Sequence, residues 1–189
     1  PDNAFGRAVA CYPFEADLEQ ALEAMTEAEM ASAREHEIGE FLAGELLAGG
    51  GVIFSPAGGT HHGFPDRANG FCYLNDPVLA MLSLRRNGVQ RIAYVDIDAH
   101  HCDGVAAGFH GDPDCLMISI HEERLWPRTG PIEDTAGGSA LNLPVPRGLN
   151  DSELAYIRDH LILPQVEAFR PDVVVLLCGA DGVEEDPLA

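Results

Sequence analysis

The sequence predicts a three-layer α/β/α fold with a mainly parallel central sheet, and three observations carry this prediction. Short apolar runs alternate with helical segments, the order that builds a parallel sheet with helices on both sides. The run "DVVVLLCGAD" (172–181) is apolar almost throughout, as expected of a strand buried on both faces. Ionisable residues follow the apolar runs directly, as they do where ligands bind at the carboxyl ends of parallel strands.

The first part of the chain predicts mainly helices. Residues 15–48 are rich in Ala, Glu and Leu without proline, so we expect two helices, interrupted near Gly39 and ended by the glycines at 49–51. The apolar run "VIFSP" (52–56) then predicts a strand that breaks into "AGGTHHG". A further helix is expected at about 76–87.

The second part predicts strands separated by loops and one long helix. "RIAYVDID" (91–98) and "CLMISI" (115–120) predict strands that break into "AHHCDG" and "HEE". Residues 151–169 predict a helix that Pro164 kinks or divides. The longest irregular stretch is 127–148, which we expect to be a loop at the rim of a site.

The composition is that of an acidic globular protein of one domain. Asp and Glu total 31 of the 189 residues against 11 cationic residues, all of them Arg, and the formal net charge is -20. Such a surface repels phosphates, so we expect no direct binding of nucleic acid. It would attract a cationic substrate or partner, although a GC-rich or salt-adapted proteome also explains the composition.

Cysteine use and hydropathy favour a cytoplasmic protein. The five Cys residues are dispersed without a CxxC pair, which argues against a disulfide framework and for a reducing compartment. No apolar run approaches the roughly 18 to 20 residues of a membrane-spanning helix, and the N-terminus lacks the pattern of a signal peptide. Because the first residue is not Met, we expect the chain to begin within a longer gene product.

Four segments bring ligands and acid–base groups to one expected edge of the sheet. They are the residues that follow the apolar runs: His61 and His62; Asp96, Asp98, His100, His101 and Asp103; His121; and Asp181. Asp96, Asp98 and His100 have period two, so they point to the same side while the strand stays extended. Such a group is costly to desolvate without a cation, and capping of a helix is the weaker alternative.

A catalytic metal site is the interpretation that these residues favour. Asp and His suit zinc or a related divalent ion, and Asp181, at the end of another strand, is the expected third ligand. Two carboxylates and one imidazole leave a position open for water. The imidazoles of His61 and His62 could take a proton from that water and return it to a leaving amine. Carboxylates such as Asp96 and Asp103 are available to orient them.

The sequence resembles a known family over about residues 45 to 189. "PAGGTHHGFPDRANGFCYLND", "YVDIDAHHCDGV", "ISIHEERLWPRTG" and "VVVLLCGADGVEEDP" are similar to the successive motifs of the metal-dependent histone deacetylase superfamily, which has the arginase/deacetylase fold. "WPRTG" and "GADGVEEDPLA" most resemble its bacterial acetoin-utilization branch. The resemblance implies one partial deacetylase domain over 1–189, with a motif-bearing core at 45–189 and an unassigned helical part at 1–44.

The resemblance also implies a role for each matched residue. Asp98, His100 and Asp181 would bind Zn²⁺, with Fe²⁺ as the other possibility. His62 would shuttle the proton beside His61, with Asp103 orienting His62 and Asp96 orienting His61. Further positions would bind substrate or a structural K⁺ or Na⁺: Gly70, Phe71 and Trp126 around the acyl-lysine, and Asp96, Asp98, His100 and Ser119 around the monovalent cation. Without the resemblance, ordinary core packing would be the preferred interpretation of Phe71 and Trp126.

Two departures from the family pattern stand out. Cys102 occupies a position where the family usually has Gly, which requires ordinary φ and ψ angles there and places a thiol near the metal. The family also has a later Gly-rich segment with a tyrosine that polarises the substrate carbonyl, and none of the four Tyr residues here lies in the matching motif. We therefore expect a fragment of a larger domain with unpaired sheet edges.

The resemblance predicts a zinc-dependent amidohydrolase that removes acetyl groups, and two other functions stay open. An arginase-like ureohydrolase would use two manganese ions instead of one metal. A non-catalytic protein would bind an acyl-lysine or a metal without turnover. For the deacetylase, the substrate is an acetylated protein lysine, an acetylated polyamine or another small acyl amide, and the oligomeric state is open.

Overall fold

A computed structural model describes residues 46–47, 50–55, 58–184 and 186. The chain divides into two compact units between Val89 and Gln90. Apart from two residues, the helices predicted over 15–48 lie outside the described part. Across that part, no helix is both long and apolar enough to cross a membrane.

The first unit contains helix α1 (Asp76–Arg86), which confirms the helix predicted at about 76–87. Asn75 caps it, since its side chain accepts a hydrogen bond from the Val78 amide at 3.1 Å. Pro77 lies in the first turn, where a missing amide hydrogen costs nothing. The apolar side chains of the helix are buried, so α1 is anchored by packing as well as by its cap.

The strand predicted at 52–56 is wrong for its described residues. Residues 52–55 have no regular secondary structure, and Val52 and Phe54 are 96% and 84% exposed. An apolar run becomes a strand only where a neighbouring segment offers backbone donors and acceptors, and no strand pairs with 52–55 in the described part of this unit. The His61–His62 pair therefore follows an irregular segment and not a strand.

The second unit is built on a four-stranded parallel sheet, which confirms the predicted α/β class. Its strands, in the spatial order β3-β2-β1-β4, are β1 (Ile92–Asp96), β2 (Cys115–Glu122), β3 (Ala140–Val145) and β4 (Val173–Leu177). The register pairs Asp96 with Ser119 on β2 and with Leu177 on β4. Because the strands are parallel, the residues that follow β1, β2 and β4 emerge at one edge of the sheet.

β3 lies inside the stretch that the sequence predicts to be a loop. Its residues "ALNLPV" alternate in polarity, but Pro144 argues against a strand because it cannot donate to the ladder. The position of β3 explains this, because within the described residues it is at the edge of the sheet and pairs with β2 alone. Proline is tolerated in such an edge strand.

The helices of the second unit lie between the strands in sequence. α2 (Asp103–Gly108) was not predicted, whereas the helix predicted at 151–169 forms α3 (Asp151–Ile157) and α4 (Leu163–Phe169). A π-helical turn, Arg158–Ile162, separates them. The division confirms the effect expected of Pro164, which has no amide hydrogen for the carbonyl four residues earlier. Apolar residues of α3, the π turn and α4 pack against Val95, Ile118 and Ile120 of the sheet.

β4 departs from the prediction that it is buried on both faces. Val174 and Leu176 are 51% and 57% exposed, whereas Leu177 is buried. Within the described residues β4 is an edge strand that pairs only with β1, and one of its faces is open to solvent. The sequence shows that the side chains of this face are apolar, but it does not show whether another part of the protein packs against them.

Candidate active site

Three predicted metal ligands converge where β1 and β4 end. Asp98 and His100 follow β1, and Asp181 lies in a short 3₁₀ turn after β4. His100 Nδ1 is 3.1 Å from Asp98 Oδ1 and 2.7 Å from Asp181 Oδ2. All three ligand atoms lie within 4.8 Å of one another, and in the described part of the chain no other group of three or more His, Cys, Asp or Glu does so.

Backbone contacts hold this triad in place before any ion binds. The His100 amide donates to Asp98 Oδ1 at 2.7 Å, and the Ala99 amide donates to Asp181 Oδ1 at 3.1 Å. A side chain at Gly179 would overlap the Asp98 carboxylate, so glycine is required for the end of β4 to approach so closely. One imidazole nitrogen and two carboxylate oxygens, partly open to solvent, are a donor set that fits Zn²⁺ or a similar divalent cation.

Asp96 is buried directly beneath these ligands, at the end of β1. Its Oδ1 accepts a hydrogen bond from the Asp98 amide at 3.0 Å, and its Oδ2 accepts one from the Tyr94 hydroxyl. Burial, reinforced by the charge of Asp96, raises the pKa of Tyr94 well above its ordinary value, so the phenol stays protonated and donates. The sequence prediction did not include Tyr94, although its period-two spacing from Asp96 was a usable signal.

Cys102 adopts the ordinary backbone conformation that its side chain requires. Its φ is −77°, so no left-handed strain arises, and its thiol is buried beside the Ser119 hydroxyl. Burial, followed by the charge of Asp96, raises the pKa of the thiol well above its ordinary value. The next residue, Asp103, begins α2, and its side chain accepts a hydrogen bond from the Gly104 amide at 2.9 Å.

Two buried histidines that were not assigned a role lie side by side in the same unit. The ring centroids of His101 and His121 are 4.8 Å apart, and both side chains are 4% exposed. His101 Nδ1 lies 2.8 Å from Thr129 Oγ1, and His121 Nε2 lies 3.0 Å from the Gly130 carbonyl. Within the described residues, His101 Nε2 has no hydrogen-bond partner.

Burial keeps both of these rings neutral. It lowers the pKa of His101 to about 4, with the neighbouring His121 as the second cause, and it also lowers the pKa of His121. A carbonyl only accepts, so His121 Nε2 carries the proton and donates it to Gly130. The bare Nδ1 of the same ring then accepts the hydroxyl hydrogen of Ser119, 3.0 Å away.

The aromatic residues predicted to line a substrate tunnel are exposed, so core packing is the wrong interpretation for both. Trp126 is 44% exposed, and its ring meets the His100 ring edge-on at a centroid distance of 6.2 Å. Phe71 is fully exposed, with φ of 61°. A left-handed non-glycine residue is uncommon and is often found at functional positions. Gly70 before it has φ of 54°, and its carbonyl accepts from the Cys72 thiol at 3.2 Å.

His61 and His62 form a buried pair in the first unit. Their ring centroids are 4.0 Å apart, and they are 3% and 6% exposed. The side-chain amide of Asn75 donates to the carbonyls of His61 and Gly63 at 2.9 and 3.0 Å, and that of Asn69 donates to the His62 carbonyl at 3.3 Å. Side chains rather than a strand ladder thus fix the backbone of the pair.

The start of α1 supplies further support for the histidine pair. Asp76 Oδ2 accepts hydrogen bonds from the amides of Gly59 and Thr60 at 3.0 and 3.1 Å. A Cβ atom at Gly63 would lie 2.7 Å from the Leu74 carbonyl oxygen, so this close approach also requires glycine. The supporting roles of Asn75 and Asp76 were missed, although an Asn-Asp-Pro sequence at a helix start signals caps and turns.

The structure brings the predicted residues together in two groups. The second unit gathers Asp96, Asp98, His100, Asp103, Ser119, Trp126 and Asp181 around the strand ends. The first unit gathers His61, His62, Gly70 and Phe71 within one loop-rich segment. The predicted pairings of Asp96 with His61 and of Asp103 with His62 join the two units and stay predictions.

Comparison with known proteins gives a consistent result. The histone deacetylase domain matches residues 10–189. Histone deacetylase 19 of Arabidopsis thaliana is 41% identical over 142 residues, which is 72% of this chain and 28% of that protein. Histone deacetylase 1 of Homo sapiens is 39% identical over 137 residues, 70% of this chain and 28% of that protein. The chain thus spans well under a third of the length of these curated relatives.

Solved structures show the same relationship at the level of the fold. An HDAC homologue from Aquifex aeolicus superposes with a TM-score of 0.84 at 32% identity, and a structure of an HDAC homologue in complex with SAHA gives the same values. The match covers 97% of this chain and 57% of the homologue. It supports the predicted three-layer α/β/α class for the chain.

Proposed function

The chain belongs to the histone deacetylase family, and from this premise we propose that it is the metal-binding part of an amidohydrolase that removes acetyl groups from an acylated amine. The observation that carries the proposal is the convergence of Asp98, His100 and Asp181 at the ends of two neighbouring parallel strands. Their three ligand atoms are preorganised by backbone amides, the side chains stay partly exposed, and three protein ligands leave a fourth position for water or substrate. An open metal position of this kind is typical of catalysis and not of structural sites.

The ion that we propose for this triad is Zn²⁺, with Fe²⁺ as the second choice. When bound, the cation supplies a Lewis acid that lowers the pKa of water and polarises the acetamide carbonyl. Asp98 and Asp181 provide the negative charge that holds it, and His100 provides a neutral nitrogen ligand through Nδ1. Proton transfer must come from other residues of the chain.

We assign that proton transfer to His62. Its ring takes a proton from the attacking water and returns it to the departing amine nitrogen. The ring of His61, 4.0 Å away, would be the electrostatic neighbour of His62. In this proposal the carboxylates of Asp103 and Asp96 orient His62 and His61 respectively.

Substrate binding is assigned to the exposed aromatic residues and to one carbonyl. Phe71 and Trp126 would line a narrow passage for the acyl-lysine side chain, and the Gly70 carbonyl would accept from its amide. Their solvent exposure is compatible with this assignment, because it leaves both rings available to a ligand.

A monovalent cation, K⁺ or Na⁺, is proposed beside the divalent site. Its ligands would be backbone carbonyls of Asp96, Asp98 and His100 with the hydroxyl of Ser119. The register that pairs Asp96 with Ser119 supports this ligand set, and the Ser119 hydroxyl hydrogen points to His121, which leaves oxygen lone pairs available.

The substrate that we propose is an acetylated protein lysine or an acetylated small amine such as a polyamine. The net charge of -20 favours a cationic substrate and argues against direct binding of nucleic acid. A cytoplasmic bacterial deacetylase of the acetoin-utilization branch is the finer assignment that "WPRTG" and "GADGVEEDPLA" support.

The test is acetate release from an Nε-acetyl-lysine peptide by the zinc-loaded chain, compared with the same chain after chelation. Release that requires the metal would support the proposal. If the folded, zinc-loaded chain releases no acetate, the binding of SAHA decides the matter, because an intact acyl-lysine site should bind it only with metal present. Absence of both metal-dependent release and metal-dependent binding would refute the assignment, and Asp181→Ala provides the control without a metal site.

A further inference from the structure

The loop that carries Trp126 contains two left-handed residues that are not glycine, so contacts outside the loop are needed to stabilise it. In residues 123–130, here called the Trp126 loop, Arg124 and Arg128 have φ angles of 68° and 65°. A left-handed conformation is strained for a non-glycine residue, so other contacts must hold the loop. Inside the loop, the described backbone bonds include one from the Arg128 amide to the Leu125 carbonyl at 2.8 Å.

Two buried imidazoles supply such contacts at the end of the loop. His101 bonds the Thr129 hydroxyl at 2.8 Å, and His121 donates to the Gly130 carbonyl at 3.0 Å. A Cβ atom at Gly130 would lie 2.6 Å from His101 Nε2, so the backbone rests directly on the ring. Two successive loop residues are therefore each fixed by a different ring.

The same two rings tie the loop to the metal triad. His101 follows His100 directly in the chain, so the backbone that presents a metal ligand also presents the anchor of the loop. The loop also contacts the triad directly, because the Trp126 ring meets the His100 ring edge-on at a centroid distance of 6.2 Å. His121 is held in turn by Ser119 on β2, whose hydroxyl hydrogen fixes the direction of its Nε2 donor.

We infer that His101 and His121 are positioning residues that fasten the Trp126 loop to the metal-bearing end of β1, and so set the place of Trp126 against His100. Neither ring needs to touch substrate or metal for this role. The inference rests on the proposed function only in taking Trp126 as a wall of the substrate passage. The position of the indole can be measured without any turnover.

Trp126 is the only tryptophan of the chain, so its fluorescence reports on this loop alone. The sharpest variant is Thr129→Val, because Thr129 is exposed and the substitution removes the hydroxyl without opening a cavity. We expect the acrylamide quenching constant of Trp126 to rise by about twofold or more, since a loosened loop gives the quencher more access. Thr129→Ser keeps the hydroxyl and should restore the quenching constant of the unmodified chain.

A second pair of variants tests His121 in the same way. His121→Gln places an amide donor near the position of Nε2 and should keep the loop closed, whereas His121→Leu removes the donor and should raise quenching. Asn142→Ala is the matched control, because Asn142 is also buried and also holds a loop carbonyl, that of Asp134 at 2.8 Å. It should leave Trp126 quenching unchanged, which separates loop positioning from a general loss of stability.

The outcomes for this inference and for the proposed function are distinct. If Thr129→Val and His121→Leu quench like the unmodified chain, the positioning role is wrong, whether or not acetate is released. If quenching rises as expected in a chain that neither turns over nor binds SAHA, the positioning role stands and the proposed function fails. Where turnover is measurable, Thr129→Val should raise KM more than it lowers kcat, with zinc affinity unchanged.

Discussion

The chain contains two pairs of adjacent histidines, and the structure uses them in opposite ways. The rings of His61 and His62 lie 4.0 Å apart and stay together as a buried pair. The rings of His100 and His101 separate, because His100 faces two carboxylates while His101 faces the Thr129 hydroxyl. The same dipeptide therefore gives one joint group in the first unit and two distinct groups in the second.

The polar contacts around each pair explain the difference. His61 and His62 follow an irregular segment, and side chains such as Asn75 fix their carbonyls. His100 and His101 lie in the irregular segment between β1 and α2, where each ring has its own polar partner: Asp98 and Asp181 for His100, and Thr129 for His101. The shared His-His dipeptide therefore does not determine the chemistry of either pair. The hydrogen-bond partners of each pair do.

Substitution of His62 should give the largest effect on turnover and none on metal binding. His62→Ala is expected to lower turnover by about 10²- to 10⁴-fold, the usual contribution of a general acid–base, and to leave zinc affinity unchanged. The two quantities are measured by acetate release and by competition with a chromophoric chelator. His160→Ala, at an exposed histidine of the second unit, is the control. Equal loss of turnover and zinc affinity would contradict the role assigned to His62.

Substitution of His100 should have the reverse signature. His100→Ala is expected to lower zinc affinity by more than about a hundredfold, because loss of a direct ligand exceeds the 10–100-fold effect of removing a supporting contact. His101→Asn, at the next position, should lower it far less, since this side chain faces Thr129. Chelator competition on both variants measures the ratio. Similar zinc affinities for the two variants would show that the triad is assigned incorrectly.

The supports of the two units can be compared through their asparagine caps. Asn75→Ala removes a cap and two buried donors, to the His61 and Gly63 carbonyls, and should destabilise the fold by about 3 kcal/mol. Asn150→Ala removes only an exposed cap of α3 and should cost about 1 kcal/mol. Urea unfolding followed by circular dichroism measures both. A cost at Asn75 no greater than at Asn150 would mean that the buried bonds add nothing.

Substitution of Cys102 should have the smallest effect. The resemblance predicts Gly at this position, but the backbone has a φ of −77°, which any residue can adopt, so glycine is not required. Cys102→Gly should therefore destabilise the chain by about 1–2 kcal/mol, through the lost buried thiol and the greater freedom of the unfolded chain. Thermal unfolding of the zinc-free chain measures this. A stabilised variant would indicate that the thiol strains the segment.

The parts of the fold that the sequence predicted are those with a strong local pattern. Residues 92–96, 115–122 and 173–177 are apolar runs that end in ionisable residues, and they form neighbouring parallel strands as expected. β3 was missed because Pro144 signals against a strand unless the strand is known to lie at an edge. The apolar run at 52–55 led to a strand prediction that was wrong, because a local sequence pattern does not show whether another strand is available for pairing.

The candidate site divides in the same manner. The parallel order of β1 and β4 places Asp98, His100 and Asp181 together although β1 ends at Asp96, and the structure brings their ligand atoms within reach of one ion. Residues that act through buried hydrogen bonds were not identified, because nothing in the sequence connects His121 with Gly130, and the period-two spacing of Tyr94 and Asp96 does not by itself reveal a hydrogen bond. Such contacts depend on which side chains a finished core brings face to face.

The bond from the Ala99 amide to Asp181 joins residues that are 82 positions apart. A cation held by Asp98, His100 and Asp181 would therefore act as a reversible crosslink that closes most of the second unit into a ring. In the chain-entropy picture, a covalent bridge over a loop of this size restricts the unfolded chain by about 4 to 5 kcal/mol. Part of the affinity for the ion is then free energy of folding, so depletion of metal would weaken the attachment of β4 to the sheet as well as the chemistry.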